Sequence, residues 1–159
     1  MRQLQSYGDD RLVRSDVKED GVDVSASVAV SGGGDARQSD NVNLILRFFT
    51  ALSKGRYDDA QTLLVPRASW WVLHRRGYVD PAVWFSGLAK LFPEGLRFEI
   101  VGVTVQEPRV AVRAVARGTT VTGREFDNAY HFLFEVEAGR ISAAWEYGDT
   151  LHADRVLRG

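Results

Sequence analysis

From Gly123 to Asp149 the sequence reads GREFDNAYHFLFEVEAGRISAAWEYGD, a stretch that admits few folds. Aromatic and β-branched residues alternate with polar ones on both sides of Ala138-Gly139, which predicts two β-strands joined by a tight turn. Three polar side chains, Asn128, Tyr130 and Glu146, stand among residues that would otherwise build a plain core. A mostly apolar pocket with a few placed polar groups is written this way in sequence.

Upstream, the chain divides near residue 40. Residues 1–38 contain Gly8-Asp9-Asp10, Lys18-Glu19-Asp20-Gly21 and Ser31-Gly32-Gly33-Gly34-Asp35, with Tyr7 as their one aromatic, and read as a disordered leader. Residues 22–28 alternate well enough to serve instead as an added edge strand. Residues 39–159 read as one domain. Ser39 or Asp40 can cap a helix whose Val42, Ile45, Phe49 and Leu52 fall at helical spacing, widened by Leu44 and Phe48 and ended by Gly55. A short second helix is predicted over 57–64, closed by Pro66, and a strand over 69–74. Asp80-Pro81 is an N-cap followed by proline at the first helical position, and opens a third helix with Trp84, Leu88 and Leu91 on one stripe before Pro93-Glu94-Gly95 breaks it. Strands over 98–106 and 109–122 form a hairpin across Glu107-Pro108 and lead into the final pair. Helices early and meandering strands late indicate an α+β domain, a curved and mainly antiparallel sheet wrapped around three N-terminal helices.

Composition narrows the function. The aromatic supply of four Trp, five Tyr and eight Phe in 159 residues can fill a sizeable core, and it can also line a cavity. A formal charge of −1 with both signs interspersed leaves no basic stripe for nucleic acid or an anionic membrane. The absence of cysteine excludes disulfides, thiolate zinc sites and cysteine nucleophiles, and three scattered His residues do not suggest a metal site. No apolar run approaches the roughly 20 residues of a membrane span, and residues 1–40 lack the apolar core of a secretory signal. These features lead to the expectation of a cytoplasmic protein with no metal and no cofactor.

From about Asp40 to the C-terminus the chain resembles the SnoaL-like branch of the nuclear transport factor 2-like superfamily, which includes ketosteroid isomerases and limonene-epoxide hydrolases. The residues that carry the resemblance are Ala68-Ser69-Trp70-Trp71, Phe92-Pro93-Glu94-Gly95-Leu96-Arg97-Phe98, Asn128-Ala129-Tyr130-His131-Phe132-Leu133-Phe134 and Glu146-Tyr147-Gly148-Asp149, through their order and spacing together. The resemblance implies a cone-shaped barrel closed by three helices, an apolar pocket between them that takes a small hydrophobic ligand, and a homodimer formed through the sheet. Fold alone does not assign chemistry in such a superfamily. Laid on the isomerase pattern, Val72 falls where that family keeps its general-base carboxylate, Phe48 where it keeps an oxyanion-stabilising tyrosine, and Tyr130 at its second oxyanion donor. Ordinary ketosteroid isomerisation is therefore disfavoured, because proton abstraction beside a carbonyl needs a positioned base. On the epoxide hydrolase pattern, an Asp-Arg-Asp set, Glu146 matches one carboxylate, Arg113 the arginine and Val115 the other carboxylate, while the water-holding asparagine falls on Val72.

Two readings follow. In the first the protein is a cofactor-free isomerase, cyclase or hydratase acting on an apolar oxygenated molecule, polyketide- or terpenoid-like, by proton transfer. Glu146 is its acid/base group, Tyr130 and Asn128 polarise an oxygen, and Arg113 pairs with Glu146 and keeps it ionised. Trp70, Val72, His74, Trp84, Phe132 and Phe48 complete the substrate pocket. In the second the protein is a non-catalytic binding or dimerising module in which the same residues stabilise the pocket. Each residue also has a plain alternative: Glu146 and Arg113 solvated, Tyr130 and Trp84 in the core, His74 in a surface loop with Arg75-Arg76, and Asn128 bonded to strand backbone.

Overall fold

The computed structural model describes residues 12–13, 28–29 and 36–158. Most of the expected leader lies outside the described residues, as do all but the last of the candidate edge-strand residues 22–28. Leu12–Val13 (β1) and Val28–Ala29 (β2) pair as an antiparallel ladder separate from the main sheet.

Helix α1 spans Ala36–Ser53 and starts ahead of the expected cap at Ser39 or Asp40. Ala36, Arg37 and Gln38 are good helix formers and extend it. Val42, Leu44, Ile45, Phe48, Phe49 and Leu52, the stripe read from the sequence, are all buried. Helix α2 (Tyr57–Thr62) follows the turn at Gly55, which has φ +66°. That turn packs tightly on a second one, since a Cβ on Gly95, itself at φ +90°, would stand 3.0 Å from the Gly55 nitrogen. Two turns approach this closely only where side chains are absent.

Strand β3 (Leu64–Val72) begins earlier than expected and runs through Pro66. Its ladder lapses between Leu64 and Ser69, so the missing proline N–H is not called upon. The expected strand stops at Val72 because Leu73–Arg75 turn as a short 3-10 helix, η1, and the chain reverses at Arg76 into a three-residue strand, β4 (Gly77–Val79). Helix α3 (Pro81–Leu91) is capped as its sequence predicts, with Asp80 Oδ1 accepting from the Ala82 N–H at 2.8 Å. Strands β5 (Arg97–Gln106), β6 (Arg109–Thr119), β7 (Glu125–Glu137) and β8 (Arg140–Gly148) form an antiparallel meander. A fourth helix, α4 (Thr150–Arg158), ends the described chain.

The six-stranded sheet has the order β4-β3-β8-β7-β6-β5, all antiparallel except the parallel pair β3–β8. It curves without closing, and β4 and β5 remain as edges. Register shifts between Ile100 and Gly102 and between Glu135 and Val136 mark bulges, which bend strands and increase their twist. Even-numbered residues of β6 and β7, among them Val110, Val112, Ala114, Phe132 and Phe134, are buried on the inner face. None of the described helices is long and apolar enough to cross a membrane.

Candidate functional site

A cavity of about 380 Å³ opens between the inner face of the sheet and helices α3 and α4. Strand alternation decides what it contains. On β8, Ala144 and Glu146 face inward, while Trp145 and Tyr147 are more exposed on the other face. Glu146 sits beside Val72 on β3 and Phe132 on β7 and is 9% exposed. Of the two orientations open to it in the sequence, it therefore takes the inward one.

Two indoles reach this carboxylate. Trp70 Nε1, from β3, donates to Glu146 Oε2 at 3.1 Å, and Trp84 Nε1, from α3, donates to the same oxygen at 3.2 Å. The stripe of Trp84, Leu88 and Leu91, expected on α3, lines the cavity together with the buried Phe85. Burial raises the Glu146 carboxyl to about 7, against the opposing pull of the two indole bonds. A carboxyl poised there exchanges its proton near neutrality, as acid or as base. Among the described residues, Oε1 has no hydrogen-bond partner, so Oε2 is held as an acceptor and Oε1 is left to carry the proton.

Tyr130 and Asn128 share the inner face of β7. Burial, followed by the charge of Glu146, raises the Tyr130 phenol, so its hydroxyl stays protonated and can donate. Its ring lies against Gly148, its partner across the ladder, and a Cβ at that position would stand 2.7 Å from Tyr130 Cε1. Asn128 Nδ2 donates to the Asp149 carbonyl at 3.3 Å, and Asn128 Oδ1 is buried without a protein partner. Asp149 also caps α4, its Oδ1 accepting from the N–H groups of Leu151 and His152 at 3.0 Å each. His74, half-buried in η1, lines the cavity together with Arg75.

Two expected site residues stand elsewhere. Arg113 is exposed on the outer face of the sheet, opposite His131, with its guanidinium beside Gly102. Its neighbours Val112 and Ala114 take the inward positions, so Arg113 and Glu146 are on opposite sides of the sheet and form no pair. Val115 shares the outward parity of Arg113. Counting along the strands had put Arg113 and Glu146 on adjacent strands and one face, whereas β7 lies between β6 and β8 and Arg113 is on the outer face, the consequence of a slip by a single residue. Phe48 is 0% exposed and packs its ring on Phe49, Trp70, Phe85 and Phe134; it is core and does not line the cavity.

The sequence reading missed α4, whose Ala153 and Leu157 close one side of the cavity. The signal was present in Asp149 as an N-cap, followed by Ala153, Val156 and Leu157 at helical spacing. Nothing local to Trp70 or Trp84 announces that their indoles converge on one oxygen.

Comparison with known proteins agrees with this architecture. The profile of the SnoaL-like domain matches residues 45–144. Among solved structures, a protein from Jannaschia sp. CCS1, provisionally assigned as a SnoaL-like polyketide cyclase, is similar with a TM-score of 0.68 and 20% identity over 80% of this chain and 97% of that one. AclR from Streptomyces galilaeus, provisionally assigned as a hydroxylase, gives a TM-score of 0.67 and 17% identity over 77% and 98%. TerC, co-crystallised with polyporic acid, gives 0.63 and 14% over 76% and 99%. Identities this low speak for a shared fold only. No curated protein gives a significant match.

Proposed function

Because the chain belongs to the SnoaL-like domain family of the nuclear transport factor 2-like superfamily, we propose that it is a small-molecule enzyme that moves a proton on an apolar, oxygenated substrate without a cofactor. Glu146 Oε1, when ionised, takes a proton from a carbon beside a carbonyl. The electron pair moves onto the carbonyl oxygen, and the protonated Tyr130 hydroxyl donates a hydrogen bond to the resulting enolate. Return of the proton to a different carbon completes an isomerisation; attack of the enolate carbon on a second carbonyl in the same molecule, whose π electrons move onto its oxygen and whose oxygen then takes the proton back from Glu146, completes a cyclisation. Trp70 and Trp84 do not touch the reacting atoms and act as positioning residues through Oε2.

The observation that carries this reading is the buried carboxyl of Glu146, lifted to about 7 and facing an apolar cavity with one oxygen unengaged. It also answers the vacancy at the isomerase-type base position. Val72, which falls at that position, is the ladder partner of Glu146, so the carboxylate comes from the neighbouring strand. TerC, with its polyporic acid, supports the idea of an oxygenated cyclic ligand in this fold.

The test is deuterium exchange in D2O, followed by proton NMR, on bicyclic ketones such as 2-tetralone that calorimetry shows to bind. Wild-type protein is expected to accelerate exchange beside the carbonyl, and Glu146→Gln to lose about 10²–10⁴-fold of that acceleration. Equal exchange by the two proteins, or no acceleration for any ketone that binds, would overturn proton transfer in favour of the binding module. We further propose that the outer face of the sheet forms the homodimer. Trp71 and Tyr147 lie there with ring centroids 5.2 Å apart, and Tyr147 and Tyr78 are exposed. A monomer in sedimentation equilibrium at micromolar concentration would refute this.

A further inference from the structure

Asn128 is 3% exposed and lines the cavity. Its amide orientation is set by chemistry, because the Asp149 carbonyl can only accept and Nδ2 must therefore be the atom at 3.3 Å. That leaves Oδ1 as a buried acceptor with no donor from the protein. Three other buried side-chain atoms among the described residues share this condition, Gln38 Oε1, Tyr57 Oη and His152 Nε2, but none of their residues lines the cavity. An unpaired buried acceptor is costly, and because Asn128 lines the cavity, a ligand that displaces the contacts closing off Oδ1 can pair it.

The position of Asn128 relative to Glu146 adds a length. Asn128 is four residues along β7 from Phe132, the ladder partner of Glu146, which separates the two backbone positions by about 13 Å. Both side chains rise from the same face, with Tyr130 between them. The wall joining them is apolar and aromatic, including Phe98, Phe132 and the Tyr130 ring. A molecule that touches both ends is longer than one six-membered ring.

We infer that the cavity takes an elongated, at least bicyclic ligand that presents a hydroxyl donor, phenolic or enolic, to Asn128 Oδ1 at the end remote from Glu146. This rests on the reading of the cavity as a small-molecule site and specifies the ligand's second polar group. Asn128 had been expected to polarise an oxygen as a donor; one of its two N–H groups is engaged by Asp149, and the inference adds its acceptor oxygen as a second point of recognition.

The probes are 2,6-dihydroxynaphthalene and 6-methoxy-2-naphthol, which match in length but differ by one donor. Calorimetry is run at pH 8, where ionised Glu146 engages the first hydroxyl. Wild-type protein is expected to bind the dihydroxy compound about tenfold more tightly, as one hydrogen bond to an otherwise unpaired buried acceptor allows. Asn128→Leu, close in shape but without an acceptor, is expected to bind the two equally. Equal binding of the two probes by wild-type protein would overturn the Asn128 inference while leaving the cavity's role intact, and this comparison does not depend on the variant folding. A preference that survives in folded Asn128→Leu would overturn it as well. If wild-type protein binds neither probe, the small-molecule reading falls along with it.

Discussion

The two faces of this sheet hold the same kinds of charged residue in opposite states. On the outer face, Arg117 is paired with Glu99 and, at 3.3 Å, with Asp127, and Arg109 with Glu135 at 2.9 Å. Those side chains are largely solvated, and pairs of that kind add little to stability. On the inner face, among the described residues, Glu146 is in no ion pair and accepts from two indole N–H groups, with aromatic walls around it. Water stabilises the outer carboxylates, whereas burial lifts the inner one to about 7. A single step along a strand separates a surface charge from a group that can exchange a proton at neutral pH.

Changing Glu146 tests this contrast most severely. Beyond the expected loss of exchange activity, Glu146→Gln should alter how stability depends on pH. The folded-state value lies above the ordinary 4.5, so the stability tied to this group is fully present below about 4.5 and is lost as pH rises through about 7. Above that range the wild-type protein bears a buried charge that glutamine does not, and Glu146→Gln should be the more stable by roughly 3 kcal/mol at pH 9. Urea denaturation at pH 4 and pH 9 measures this; parallel changes in the two proteins would show that burial does not govern Glu146.

Next in size is Gly148→Ala. The added methyl would enter the Tyr130 ring, and overpacking of this kind typically costs about 1–3 kcal/mol. The melting temperature should fall and bound ligand should weaken together. Unchanged values in both would mean that the Tyr130 ring is free to move off Gly148.

Trp84→Phe keeps a ring on α3 and removes one of the two donors to Oε2. Because that bond holds the Glu146 carboxyl down, its loss should move the midpoint of the pH–exchange profile upward, while a purely structural role would lower the rate at every pH alike. Smallest of all is Arg113→Ala, on the outer face, for which stability should remain within about 0.5 kcal/mol and the pH profile should not move. A shifted profile would show that charge on the outer face is felt across the sheet.

Much of the fold was legible because its signals are periodic. The stripe on α1, the Asp80-Pro81 cap and the alternation through β7 and β8 each state their own structure locally. The short strand β4 carries too few residues for a period to register. Within the site, Tyr130, Asn128 and Phe132 were readable because three neighbouring even positions on one strand agree. Glu146 was open to either face, since Ala144 and Ser142 on its own parity are too small to declare a core side. Arg113 was misplaced because its proposed partner was found by counting across strands, where parity is fixed by bulges and turns rather than by the count. The two indole bonds belong to no local pattern at all.

Trp70 and Glu146 are separated by 76 positions in the chain, and their strands lie parallel, so no hairpin brings them together. The meander from β5 to β8 can assemble through successive local reversals, each closing a short loop, whereas docking β3 on β8 closes a long one and is entropically later. Ligand binding should therefore lag behind sheet formation when the protein refolds from denaturant. In stopped-flow experiments on Trp71→Phe/Trp145→Phe protein, in which Trp70 and Trp84 alone emit, the far-ultraviolet circular dichroism signal of the meander is expected to precede the fluorescence change, and simultaneous appearance would contradict this order. The proton-handling centre would then be the last part of the molecule to exist during folding and the first to vanish when the native state opens.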